Sequence, residues 1–115
     1  MTTLLIVDDN REMRELMRRI TGKVSRQIFE CEDGDEVLAA FMQHHPDWVV
    51  MDVEMKRMDG LQATAGLTKQ YPEAKVIIVT NHTDPQTREA ASEAGARYFL
   101  GKDDLLLLRR IIQEF

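Results

Sequence analysis

Four short apolar runs in this chain each stop on a polar residue, and that pattern limits the folds open to it more than any other feature. Thr3-Leu4-Leu5-Ile6-Val7 gives way to Asp8-Asp9-Asn10, and Val49-Val50-Met51 to Asp52. Lys75-Val76-Ile77-Ile78-Val79 ends on the hydroxyl of Thr80, and the run from Arg97 to Gly101 ends at Lys102. Continuous apolar runs of this length, rich in β-branched residues, read as strands buried on both faces. A fifth segment, Gln27-Ile28-Phe29-Glu30-Cys31, is half polar and fits an edge strand.

The intervals between these runs carry the helical period. Asp8, Asp9 and Asn10 can cap a helix whose Met13, Leu16, Met17 and Ile20 recur at i, i+3, i+4 and i+7, ending near Gly22. Asp33-Gly34-Asp35 turns into a second helix with Val37, Leu38 and Phe41, which runs out at His44-His45-Pro46. A third runs from Gly60 to Lys69, with Leu61, Thr64 or Ala65, and Leu67 toward the core, closed by Tyr71-Pro72-Glu73. Asp84-Pro85 starts a fourth, to about Ala94, with proline suited to the first turn. Gly95 stops it, and Asp103 opens a last helix. Five strands alternate with five helices without linker, repeat or low-complexity segment, so residues 1–115 read as one α/β domain. Right-handed crossovers then require a parallel sheet covered by helices on both faces.

In a parallel sheet the strand ends share one edge. Asp8, Asp9, Asp52, Thr80 and Lys102 therefore converge on one crevice, the usual place for chemistry in open α/β sheets. Carboxylates about 4 Å apart repel by about 4 kcal/mol per pair at an effective dielectric near 20, so three of them imply a compensating cation. An all-oxygen ligand set in a small cluster favours Mg²⁺, held by one or two carboxylates together with a phosphate. The lysine and the hydroxyl suit the remaining phosphoryl oxygens, which makes Asp52 a candidate nucleophile toward phosphorus and an aspartyl phosphate its product.

Other features exclude other classes. A net charge of −5 with no basic stripe argues against direct nucleic-acid binding, and the pairs Arg18-Arg19 and Arg109-Arg110 read as solvated helix faces. The single Cys31 forms no intramolecular disulfide and no four-ligand zinc site; a buried inert thiol is expected. No run approaches the roughly 18 apolar residues of a membrane span, and no basic segment precedes a cleavable apolar stretch, so a cytoplasmic location is expected. His44 and His45 are adjacent on a helix end and cannot both face one metal, and Met51, Met55 and Met58 read as gap-filling around the turn after the third strand.

The chain resembles the receiver domain of two-component response regulators from Thr3 to the final helix. The resemblance rests on Leu5-Ile6-Val7-Asp8-Asp9-Asn10, on the segment from Asp52 through Met58-Asp59-Gly60, on Val79-Thr80, and on the segment from Gly95-Ala96 through Phe99-Leu100-Gly101-Lys102. Four such segments in order, at receiver spacing, are specific together where each alone is weak. The resemblance implies a flavodoxin-like doubly wound sheet of strand order 2-1-3-4-5 in three layers. It implies that Asp52 accepts a phosphoryl group from a histidine kinase or phosphotransfer protein. Asp9, Asp52 and the backbone carbonyl of Glu54 would ligate Mg²⁺ directly, with Asp8 acting mainly through a metal-bound water. Lys102 would pair with the phosphoryl oxygens, Thr80 would move to bond one of them, and Phe99 would be the aromatic that changes rotamer in response. Helix four, strand five and helix five would then form the readout face.

Departures from the family pattern cluster at the mouth of the site. Lys56 stands where a proline is common, which would loosen the loop beyond Asp52, and Asp103 replaces the proline that often follows the lysine. Asn81 is larger than the usual residue after the threonine. With Glu54 and His82 it would cover the phosphoryl group and slow attack by water. The last helix carries Leu105, Leu106, Leu107, Leu108, Ile111, Ile112 and Phe115, more than the stripe a core-packing helix needs, so part of it is expected on a homodimer partner or an output domain. The Gly95 to Asp103 style resembles receivers joined to helix-turn-helix output domains, which points toward transcription regulation. Two other classes compete. A haloacid-dehalogenase-like phosphohydrolase would need Asp-x-Asp after the first strand, where this chain has adjacent acids. A phosphate-independent interaction domain would not need the intact set Asp8, Asp9, Asp52, Thr80 and Lys102.

Overall fold

The computed structural model describes residues 2–114. Its centre is one five-stranded sheet of order β2-β1-β3-β4-β5, every neighbouring pair parallel. The strands are β1 (Thr2–Val7), β2 (Ser25–Cys31), β3 (Trp48–Met51), β4 (Val76–Thr80) and β5 (Tyr98–Gly101). The half-polar β2 lies at the edge, as its sequence demands. The apolar β3 and β4 lie inside and are buried along their whole length. Register brings Val7 beside Met51, Met51 beside Ile78, and Thr80 beside Gly101, so the carboxyl ends align and the residues after them meet.

Five helices cover the sheet: α1 (Arg11–Thr21), α2 (Val37–His44), α3 (Gly60–Gln70), α4 (Pro85–Glu93) and α5 (Leu107–Glu114). Alternation along each strand builds two cores. Leu5, Val7, Val49, Met51 and Ile78 point to the layer of α2, α3 and α4, where Phe41, Leu67 and Ala91 meet them. Leu4, Ile6, Trp48, Val50 and Ile77 point to α1 and α5, against Met17, Leu108 and Ile112. The fold is the three-layer, doubly wound, flavodoxin-like arrangement expected. No helix among the described residues is long and apolar enough to cross a membrane.

Helix starts follow local chemistry. The side chains of Asn10, Asp59 and Asp84 accept the N–H groups of Met13, Gln62 and Thr87, satisfying first-turn donors that no carbonyl can reach. α2 ends on His45 in the left-handed region at φ 44, while His44 stacks on Phe29 with centroids 3.6 Å apart, so the two histidines serve the helix end. Three details differ from the sequence expectation. The buried face of α3 is Ala63, Thr64 and Leu67, with Ala65 exposed. The last helix begins at Leu107, after a 3-10 turn over Lys102–Asp104. Two of the arginines read as solvated are tied down: Arg18 reaches Glu30 at 2.7 Å, and Arg109 Nε donates to the Ile20 carbonyl at 3.0 Å, joining α5 to α1. Across the last helix and the turn before it Leu105, Leu108, Ile111 and Ile112 are buried while Leu106 and Leu107 face out; Phe115 lies outside the described residues.

Candidate functional site

A crevice of about 380 Å³ opens at the carboxyl edge of the sheet. Asp8, Asp9, Asp52, Thr80 and Lys102 all line it, as do Glu54, Lys56, Asn81 and His82 from the surrounding loops. Asp8 and Asp52 are each held by the strand next to the one they follow. The Asp52 N–H donates to the Val7 carbonyl at 2.9 Å and the Asp8 N–H to the Cys31 carbonyl at 3.2 Å, which extends the ladder one residue beyond the strands. Gly60 leaves no room for a β-carbon beside the Asp52 carbonyl, so the strand end and the start of α3 pack in direct contact.

Asp8 and Asp52 are almost fully buried, and the Lys102 ammonium lies 3.3 Å from Asp8 Oδ2 and 3.2 Å from Asp52 Oδ1. Burial and then the neighbouring Asp8 charge push the Asp52 carboxyl up to about 6, with Lys102 opposing them. Burial works against the Lys102 charge, yet the Asp52 and Asp8 carboxylates hold its pKa above the ordinary lysine value. One ammonium between two carboxylates leaves the cluster underneutralised, since Asp9 adds a third from the exposed rim.

That imbalance, with the donor set, tests the site for a cation. One ligand oxygen from each of Asp8, Asp9 and Asp52 falls within 4.8 Å of the others. Asp8 Oδ1 accepts the Asn10 N–H at 2.8 Å, whereas Oδ2 is sealed from solvent and accepts no hydrogen bond among the described residues, leaving the Lys102 contact as an ion pair. A buried oxygen of this kind and three convergent carboxylates fit a hard divalent cation such as Mg²⁺.

The surrounding loops meet over the crevice. Glu54, from the loop after β3, pairs with His82, from the loop after β4, and both side chains are largely exposed. Thr80 is buried, and its hydroxyl accepts the His82 N–H at 3.0 Å. Phe99 is half-buried on β5, and the Arg88 guanidinium of α4 sits 4.6 Å from its ring centroid.

Two supporting residues escaped the sequence reading. Arg14 is buried on α1, donates to the Asp8 carbonyl at 2.7 Å and pairs with Glu30 at 2.8 Å, so it holds the chain where the acidic pair begins. Asp33 is buried at the end of the turn after β2 and accepts the N–H groups of Arg57 and Met58 at 3.0 and 2.8 Å. The loop that Lys56 was expected to loosen is therefore tied from outside. Composition signals neither role; an arginine facing the core side of a helix and an aspartate before a glycine were the available hints.

Comparison with known proteins agrees with this geometry. The family model for the response regulator receiver domain matches residues 4–113. The response regulator MprA of Mycobacterium sp. (strain KMS) is 33% identical over 99 residues, covering 86% of this chain and 43% of its own length. The transcriptional regulatory protein DegU of Brevibacillus brevis is 28% identical over 102 residues, covering 87% and 43%. This chain thus spans less than half the length of these curated relatives. Among solved structures, a DNA-binding response regulator of the LuxR family from Staphylococcus aureus superposes with a TM-score of 0.89 at 26% identity, over 99% of this chain and 98% of that one. A fold that matches end to end, together with a family model that spans the acidic pair, the strand-three aspartate and the lysine, places this chain in the response regulator receiver domain family.

Proposed function

We propose that this chain is a Mg²⁺-dependent phosphoacceptor. It takes a phosphoryl group on Asp52 from a histidine kinase or phosphotransfer protein and reports it through the face made by α4, β5 and α5. The observation that carries this reading is the buried Asp52 carboxylate at the end of β3, in ion-pair contact with Lys102 and beside Asp8 and Asp9.

An Asp52 oxygen attacks phosphorus, the bond from phosphorus to the donor imidazole nitrogen breaks, and its electron pair leaves with the imidazole. Asp9, Asp52 and the Glu54 carbonyl would hold a Mg²⁺ directly and Asp8 through water, and the cation would supply charge neutralisation for the phosphoryl oxygens. Lys102, already 3.2 Å from Asp52, transfers its ion pair to a phosphoryl oxygen. The Thr80 hydroxyl leaves the His82 N–H for another, and Phe99 turns into the space released. About two added negative charges thus bias a two-state element. Glu54, Asn81 and His82 restrict the approach of water to the acyl phosphate, and Lys56 at the rim shares in shaping that access.

The readout reaches a second copy of the chain or an output domain through the start of α5 and the turn before it, where Leu107 is 42% exposed and Leu106 73%. The names of the relatives favour a regulator with a transcriptional output; we place it in the cytoplasm, and the net charge of −5 disfavours direct nucleic-acid contact by this chain. The deciding experiment is intact-mass analysis after incubation with Mg²⁺ and a small acyl phosphate or a phosphorylated histidine kinase. One added phosphoryl group is expected, absent in Asp52→Asn and without Mg²⁺. Equal labelling of Asp52→Asn rejects the assignment.

A further inference from the structure

Asp33 is a carboxylate with 2% of its surface exposed, and it is not among the residues that line the crevice. Its partners are nonetheless the loop that leaves Asp52. Oδ2 accepts the Arg57 N–H at 3.0 Å and Oδ1 the Met58 N–H at 2.8 Å, across 24 and 25 residues of sequence. Burial alone would raise the Asp33 pKa, but these backbone donors and the Arg57 charge hold it below the usual carboxylate range. The grip is reinforced from both sides. Arg57 Nε reaches Asp35 at 2.7 Å and its Nη2 reaches Glu36 at 3.1 Å, while Gly34 leaves no space for a β-carbon against the Met58 carbonyl.

The same loop is anchored at its far end, where the Gly60 N–H donates to the Val53 carbonyl at 2.8 Å. Between these two anchors lie Glu54, Met55 and Lys56. Lys56 has no ring to lock its φ, so the path of this stretch depends on what holds residues 57 and 58. A buried charge that spends both oxygens on a distant loop's amides, two residues beyond the crevice wall, is a fastening for that wall.

We propose that Asp33 is a positioning residue for the divalent-cation site: by gripping the amides of Arg57 and Met58 it fixes where the Glu54 carbonyl stands relative to Asp52. This rests on the phosphoacceptor reading of the crevice. Asp33 touches neither cation nor phosphoryl group; it sets the geometry that the Glu54 carbonyl presents.

The test is Mg²⁺ binding by calorimetry on the wild type, Asp33→Asn, Asp33→Ala and Arg57→Ala. It is combined with amide hydrogen exchange over residues 53–59 and thermal melting, both without Mg²⁺. Loss of an outer partner of a metal ligand commonly weakens binding about tenfold or more, and about tenfold is expected for Asp33→Ala. Asp33→Asn keeps one acceptor and is expected to lose less, and exchange at the Arg57 and Met58 amides rises in both. Arg57→Ala, altered only at an exposed side chain, weakens binding least. If Asp33→Ala does not fold, Asp33→Asn and Arg57→Ala decide by the same criterion. Folded variants with lower melting temperatures but wild-type Mg²⁺ affinity overturn the inference alone and leave Asp33 a stabiliser of the fold. A wild type that binds no Mg²⁺ overturns the phosphoacceptor reading and this inference with it.

Discussion

Lys102 Nζ lies 3.2 Å from Asp52 Oδ1, yet this ion pair does not keep the carboxylate acidic: burial and the Asp8 charge raise its pKa from 3.8 to about 6. A folded-state value above the unfolded one means that the native protein binds the proton more tightly. Its contribution to stability is complete below about pH 4 and is lost as pH rises through about 6. Without Mg²⁺ the wild type is therefore expected to lose stability across that window. Asp52→Asn removes the slope and stabilises the metal-free protein at pH 7 by up to about 3 kcal/mol. Urea unfolding at several pH values checks this, and an unchanged slope in Asp52→Asn refutes it.

Mg²⁺ should reverse that electrostatic cost. At a concentration a hundredfold above its dissociation constant the cation adds about 2.7 kcal/mol of stability, a melting-point rise of several degrees. Asp9→Ala is the informative variant because Asp9 is exposed, so its removal leaves the core intact. It is expected to melt near the wild type without Mg²⁺ and to lose most of the Mg²⁺-dependent rise. Thermal shift with Ca²⁺ and Zn²⁺ in parallel checks selectivity.

The Glu54–His82 pair and Asn81 stand over the same crevice from two loops. If they exclude water, a shield worth about 1 kcal/mol of the hydrolysis barrier makes Asn81→Ala lose its phosphoryl group about fivefold faster. His82→Ala, which releases Glu54, is expected to accelerate loss as well. Phosphate release from the purified phosphoprotein is the measurement; rates equal to the wild type remove these side chains from any shielding role.

Residues at strand ends were legible before the structure, because an apolar run that stops on Asp8, Asp52, Thr80 or Lys102 names both the element and the edge. The parallel sheet did the rest, since register aligns those ends without any long-range guess. Asp33 and Arg14 were not legible for the opposite reason. Each acts on backbone groups, Arg14 on the nearby Asp8 carbonyl and Asp33 on amides 24 and 25 residues away, and a carbonyl or N–H leaves no mark on the side-chain pattern. The α5 boundary shifted because Asp103 and Asp104 support a 3-10 turn as readily as a helix start. In α3, Thr64 is buried where periodicity left Thr64 and Ala65 open, and its neighbour Ala63 completes the face.

Phe99 is half-buried on β5, and Arg88 bears on it directly. The guanidinium centre lies 4.6 Å from the ring centroid, and the arginine comes from α4 while the ring belongs to β5. A cation over an aromatic face at a solvent-exposed site contributes about 0.5–1 kcal/mol, which favours whichever rotamer keeps the ring beneath it. Removing that preference shifts a two-state rotamer equilibrium by about threefold toward the alternative. Arg88→Ala is expected to show that shift in the Phe99 side-chain resonances of the unphosphorylated protein, and Arg88→Lys a smaller one. Leu5, Ile78 and the other core residues behind Phe99 remain in place, so the melting temperature should change little. An unchanged rotamer ratio means that packing against this core, and not Arg88, sets the orientation of the ring.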